Sequence, residues 1–157
     1  MKIRFFALFL FAIITFFTAE SLSVKAQMVS GSLGNGTVAR GSTAKGAIVM
    51  SIPSGLHVNS GHPNSEYAIP TSVRLTGQGV STGGIRYPRG RNRKFQFSEN
   101  VINVYEGRVS IPFTVTVPAN FRGDIVRIRA VVKFQACTNE VCYPPKSKEI
   151  TIIARIK

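Results

Sequence analysis

Apolar and polar residues alternate most clearly in the last third of the chain. Val109, Ile111, Phe113, Val115 and Val117 alternate with Ser110, Pro112, Thr114 and Thr116. Successive side chains of a strand point to opposite faces, so this run predicts a strand with one buried and one wet face. Val126, Ile128, Ala130, Val132, Phe134 and Ala136 repeat the pattern against Arg127, Arg129, Val131, Lys133 and Gln135, and Ile150, Ile152, Ala154 and Ile156 repeat it once more. Pro112 has no amide hydrogen to donate, which favours an edge position or a bulge for its strand. Shorter strands are expected at 47–52, continued past a kink at 56–59, and at 72–76, 85–87 and 101–105. Glycine- and proline-rich turns punctuate the chain roughly every eight to twelve residues, the spacing of an all-β sandwich. No stretch beyond the N-terminal segment carries helical periodicity. The expected fold is all-β, an immunoglobulin-like antiparallel β-sandwich of seven or eight strands.

The N-terminal segment breaks this pattern. Lys2 and Arg4 precede an apolar run from Phe5 to Phe17 interrupted only by Thr15, and Val24-Lys25-Ala26 offers small residues where a signal peptidase cuts. This is the layout of a secretory signal, and the run is shorter than the roughly 20 residues of a membrane span. Residues 1–26 are therefore expected to be a signal peptide, 27–46 a flexible leader or weak first strand rich in Gly, Ser and Thr, and 47–157 the folded domain. The cleaved product is expected in the periplasm or secreted, with no stable membrane insertion.

Charge adds little to this picture. The chain has 20 basic and 7 acidic residues. Removing residues 1–26 takes away three bases and one acid, leaving 17 − 6 = +11. The densest basic run, Arg89-Gly90-Arg91-Asn92-Arg93-Lys94, has no interleaved aromatic motif, and an exported chain rarely meets nucleic acid. It reads as a solvated loop with affinity for acidic surfaces.

The candidate chemistry lies in Phe134-Gln135-Ala136-Cys137-Thr138-Asn139-Glu140-Val141-Cys142-Tyr143-Pro144-Pro145, which holds both cysteines of the chain. An even count in an oxidising compartment points to a disulfide. Such a short loop makes a weak staple, worth roughly 2 kcal/mol against about 4.7 for a loop of 100 residues. If the strand from 125 stays regular, odd-numbered Cys137 points away from the core. Neighbouring Lys133, Lys146 and Lys148 would favour a thiolate, and Pro144-Pro145 restricts Tyr143 to an extended backbone. From the residues alone, a redox-active pair and a structural hairpin disulfide both remain open.

The segment Phe134-Gln135-Ala136-Cys137 followed by Val141-Cys142-Tyr143-Pro144-Pro145 resembles the active-site signature of the N-terminal periplasmic domain of the thiol:disulfide interchange protein DsbD. Gly55-Leu56-His57-Val58-Asn59, Ile69-Pro70-Thr71, Tyr87-Pro88 and Val104-Tyr105-Glu106-Gly107 accompany it. The resemblance implies an immunoglobulin-like fold and a cysteine pair that cycles between disulfide and dithiol, without a cofactor. It implies Cys142 as the exchanging sulfur and Cys137 as its resolving partner. It places His57 and Asn59 beside the pair, with Tyr143 next to it and Phe95 or Phe97 at the tip of a covering loop. The implied partners are the thioredoxin-like domain of a membrane thiol reductase, as donor, and oxidised periplasmic proteins, as clients. The covering loop departs from the family in carrying Arg91, Arg93 and Lys94 where acidic residues are usual.

Three other readings compete. His57 and His62, spaced H-x₄-H, and the C-x₄-C pair are within reach of zinc patterns, but they lie far apart in sequence and an oxidised pair offers no thiolates. No metal is expected. A cysteine–histidine hydrolase lacks an orienting group. The main alternative is a non-catalytic immunoglobulin-like binding module with a structural disulfide, since this fold hosts many functions.

Overall fold

The computed structural model describes residues 28–157; the expected signal segment lies outside them. In chain order the strands are β1 (Met28–Leu33), β2 (Thr37–Val38), β3 (Ser42–Ser51), β4 (His57–Asn59), β5 (Ser72–Gly77) and β6 (Ser81–Gly83), followed by β7 (Arg91–Arg93), β8 (Ile102–Tyr105), β9 (Arg108–Val117), β10 (Ile125–Phe134), β11 (Ala136–Cys137) and β12 (Lys146–Ile156). Seven of them (β1, β3, β5, β8, β9, β10, β12) span four residues or more. Among the described residues there is no helix, so none is long and apolar enough to cross a membrane.

The strands form three four-stranded sheets, ordered β1-β3-β9-β6, β2-β12-β10-β5 and β11-β4-β8-β7. The β2–β12 pairing is parallel and all others are antiparallel. The first two sheets supply the main core, in which Ile48, Met50, Ile111 and Phe113 meet Val126, Ile128, Val132 and Ile152. The alternation of β9 and β10 appears as expected, with odd positions of β9 and even positions of β10 buried. Burial of such side chains, at about 1.5–3 kcal/mol each, is the main force holding the layers together. The third sheet sits at one end of this sandwich and carries the cysteine pair.

Several expectations need correction. The glycine-rich stretch 27–46 is not a flexible leader: from Met28 it forms β1, β2 and the first half of β3. Its glycines permit close packing, since a Cβ on Gly31 would lie 2.7 Å from Ile152 Cγ1. Residues 85–87 form no strand; Ser81–Gly83 pairs with β9 instead. Residues 56–59 do not continue β3, because His57–Asn59 belongs to a different sheet. Pro112 lies in a strand flanked on both sides, but β6 covers only residues 114–116 of β9. The Pro112 carbonyl accepts from Arg86 N at 2.9 Å on that uncovered side, so the missing amide hydrogen costs no bond to β3.

Gly46 tests the close-packing argument. A Cβ there would meet the Phe113 ring and lie 2.8 Å from the Ser32 carbonyl oxygen, which as backbone cannot easily yield. Gly46→Ala is expected to cost about 1–3 kcal/mol through overpacking, read as a lower urea midpoint at unchanged slope.

Candidate functional site

The site grows out of a break in one strand. β10 and β12 form a hairpin whose last pair is Phe134 with Lys146. Residues 135–145 leave this ladder, and Ala136–Cys137 pairs with β4 in the third sheet. Cys137 and Cys142 then face each other across an antiparallel bridge. Thr138 N donates to Val141 O at 2.8 Å, and Tyr143 N donates to Ala136 O at 2.9 Å. These two bonds flank the cysteines, which occupy a non-hydrogen-bonded pair, the position where opposing Cα atoms come closest. Their Cα atoms are 4.0 Å apart and the sulfurs are joined at 2.04 Å. Thr138 Oγ1 accepts from Glu140 N (3.2 Å) and Val141 N (3.1 Å) and shapes the turn between them.

The expectation that Cys137 points to the polar side is overturned. Cys137 is 0% exposed, while Cys142 is exposed. The reason is that Gln135 belongs to neither ladder, so the alternation of β10 does not carry into β11. The third sheet has two faces of its own. Val58, Tyr105 and Ala136 face the main core. Ile102 and Val104 face the other way and form a small second core with Phe95, against which Ala68 packs. His57, opposite Cys137 in the β4–β11 register, belongs to this second face.

A loop after β7 covers that face. Phe95 is buried and stacks on His57, with ring centroids 4.0 Å apart and planes 11° from parallel. Phe97 continues the stack at 5.2 Å from Phe95 and is 39% exposed at the loop tip. The loop is held by Lys94, whose ammonium donates to the Glu99 carbonyl, and by Ser98 Oγ, which donates to Asn100 O at 2.8 Å. Phe97, Glu99 and Asn100 line a cleft of about 430 Å³ together with Asn59, Gln135, Tyr67 and Cys142. The basic run is less free than its sequence suggests. Arg91–Arg93 is an edge strand, and Arg93 donates to Glu106 Oε1 from Nε (3.1 Å) and from a terminal nitrogen (2.9 Å).

Phe97 and Asn59 line the cleft with Cys142, His57 lies beneath Phe95, and the Tyr143 side chain is exposed beside Cys142. Gln135 was not anticipated. Asn59 Nδ2 donates to Gln135 Oε1 (3.3 Å) and to Ile69 O (3.0 Å), and Gln135 Nε2 donates to Tyr143 O (3.2 Å). This chain of amides ties the backbone after Cys142 to the sheet. The polarity of Gln135 fits the alternation that runs from Arg127 to Lys133, so nothing in the sequence set it apart. Tyr67, Ala68 and Glu99 gave no signal either, because they lie in irregular segments placed by contacts such as Ser60 N to Asn103 O. His62 does not line the cleft and packs edge-on against Tyr87 at 5.7 Å. Among the described residues no three His, Cys, Asp or Glu side chains gather as a metal site.

Burial pushes the His57 pKa below its ordinary value; Glu106 pulls it up and Arg93 pushes it down, both more weakly. The folded protein thus holds fewer protons here than the unfolded chain. Stability from this residue is complete above the ordinary histidine value near 6.5 and falls as pH drops through it. His57→Phe keeps the stacked shape and is expected to flatten the decline of the urea midpoint between about pH 7 and pH 5.

A profile of the family described as "Thiol:disulfide interchange protein DsbD, N-terminal" matches residues 36–154. The N-terminal periplasmic domain of ScsB from Proteus mirabilis superposes with a TM-score of 0.51 at 11% identity, over 78% of this chain and 43% of that one. The chain therefore spans less than half of that ScsB structure, and the likeness speaks for the fold alone. The Neisseria meningitidis DsbD N-terminal domain in the reduced form gives a TM-score of 0.45 at 17% identity, over 81% of this chain and 88% of that one. No curated protein sequence matches. With the profile running from just before β2 into β12 and a cysteine pair at bonding distance within it, the chain belongs to the family of DsbD N-terminal domains.

Proposed function

We propose that this domain is a periplasmic thiol–disulfide relay in which Cys137 and Cys142 cycle between disulfide and dithiol. The observation that carries the reading is the unequal exposure of the two sulfurs' residues: Cys142 opens into the cleft and Cys137 is enclosed. Exchange requires a thiolate to attack along the axis of a disulfide, and so only an accessible sulfur can bond to another protein. Cys142 is therefore the residue that forms the mixed disulfide. A donor thiolate attacks Cys142, expelling Cys137 as thiolate; a second donor thiol then releases reduced Cys142. In the forward half-cycle the Cys142 thiolate attacks a client disulfide, and Cys137 attacks Cys142 to release the reduced client. Two electrons pass in each half-cycle and no cofactor takes part.

The donor in this reading is the thioredoxin-like domain of a membrane thiol reductase, and the clients are oxidised periplasmic proteins. Family membership supports this assignment of partners. The Phe97 tip beside Cys142 fits a cover that limits entry of small thiols, while Val141 and Tyr143, exposed at 53% and 44%, offer apolar contact to a docking protein. The paired backbone around the cysteines keeps the reduced thiols adjacent, which favours rapid closure.

The reduction potential of the pair tests the relay against a structural bridge. A value between about −180 and −270 mV is expected, within the range of exchange proteins, and a value below about −300 mV would reject it. Cys137→Ser is expected to accumulate a mixed disulfide with an oxidised thioredoxin-like partner, detected as a thiol-sensitive band. Cys142→Ser is expected to form none, because its remaining thiol is enclosed. Phe97→Ala is expected to speed reduction of the disulfide by glutathione several-fold through wider access, on the order of 1 kcal/mol in the barrier.

A further inference from the structure

The Nε2 atom of His57 is fully enclosed and has no hydrogen-bond partner. Buried polar atoms are almost always paired, so an exception calls for a physical account. His57 and Cys137 stand directly opposite in the β4–β11 register. Opposed residues of a ladder share a face, with Cβ atoms roughly 4.5–5.5 Å apart. Their neighbours Val58 and Ala136 are both in the main core, so His57 and Cys137 share the opposite face, beneath the covering loop. Phe95 occupies one face of the imidazole, which leaves the ring edge for polar contact.

No group packed around His57 bonds Nε2, although Ser54 and Asn139 line a pocket beside the residue. β7 brings Arg93 and the turn after β8 brings Glu106, and these two are bonded to each other at 2.9 Å. β8 contributes Val104 to the same face, and the covering loop contributes Phe95. β11 contributes Cys137, which as half of a disulfide has no proton to give. Reduction changes that one group, creating an S–H donor across the ladder from an unpaired acceptor.

We propose that His57 is the proton acceptor for Cys137, an assignment that rests on the relay reading above. In the reduced protein the Cys137 thiol donates to Nε2 of the neutral, Nδ1-protonated imidazole. When Cys142 is joined to a client sulfur, His57 takes the Cys137 proton as the Cys137 sulfur attacks Cys142. The Cys137–Cys142 bond forms, the Cys142–client bond breaks, and the electron pair leaves on the client sulfur. The imidazolium releases a proton to solvent on the side where His57 borders Ser54 and Asn139, the client thiolate takes one up, and neutral His57 is restored. The client is reduced, the relay is oxidised, and the charge balances. Burial, which disfavours the imidazolium at rest, keeps the acceptor free at neutral pH.

The dithionitrobenzoate reaction of reduced protein separates this proposal from the relay itself. Cys142 releases a first chromophore equivalent on forming the mixed disulfide, and Cys137 releases a second on closing the ring. His57→Phe is expected to leave the first step within about twofold and to slow the second about tenfold or more at neutral pH, as expected for loss of a proton acceptor. The second step should also lose its rise with pH across the histidine range. Equal second steps in the two proteins would overturn the role of His57 while leaving the relay standing; absence of any first step would remove the relay. A readout that needs no variant is the imidazole ¹⁵N spectrum of wild-type protein. The Nε2 signal of His57 is expected to shift on reduction while that of His62 stays, and an unchanged His57 signal would overturn the proposal.

Discussion

One residue that pairs with nothing decides where the chemistry sits. Gln135 lies between β10 and β11 and belongs to neither ladder. Had β10 continued in register, Cys137 would have followed Arg127, Arg129 and Lys133 onto the wet face. The break instead hands the chain from the second sheet to the third and lets both Ala136 and Cys137 be buried on different faces of a two-residue strand. Gln135 then uses its freed side chain to link Asn59 to the Tyr143 carbonyl, so the residue that ends one sheet also fixes the loop that begins after Cys142.

The third sheet works as a wall between two apolar compartments. On one side Val58 and Tyr105 seal the end of the sandwich, and on the other Ile102, Val104 and Phe95 form a small core of their own. Tyr105 fastens the surrounding loops as well, since its hydroxyl donates to Pro88 O at 2.9 Å and accepts from Gly61 N at 3.1 Å. The covering loop therefore rests on only a few apolar contacts plus its own backbone and side-chain bonds. Segments with so little buried area open locally at small cost compared with the main core. Access to Cys142 can thus change without disturbing the sandwich.

The long strands were legible because burial on one face imposes a period of two, which β9 and β10 obey over ten residues and β12 over residues 150–156. β1 was expected only as a flexible leader or a weak first strand. Ser30, Gly31 and Ser32 interrupt its apolar residues, and it is a strand because its backbone pairs with β3 and because Gly31 lets Ile152 approach. That is tertiary context, which propensity does not carry. The cysteines stood out by their even count in an exported chain, whereas their separate roles and the places of His57, Asn59 and the two phenylalanines came through a family resemblance. Cys137 departs from the expected alternation because the chain uses two ladders there, not one. Which of the amides and aromatics completes the cleft depends on irregular loops, and no local pattern encodes those.

The pairing of β2 with β12 and the packing of β1 on Ile152 join the first described strands to the last. Almost every apolar layer thus waits on contacts that span the length of the domain, a topology that folds slowly because the chain must lose loop entropy before it gains burial. The cysteines are the reverse case, only five positions apart along the chain. Their bond can close in a chain that has not yet collapsed, and with no third cysteine among the 157 residues it cannot close wrongly. The reactive contact is thus a local one, while the walls that enclose it are drawn from distant parts of the chain.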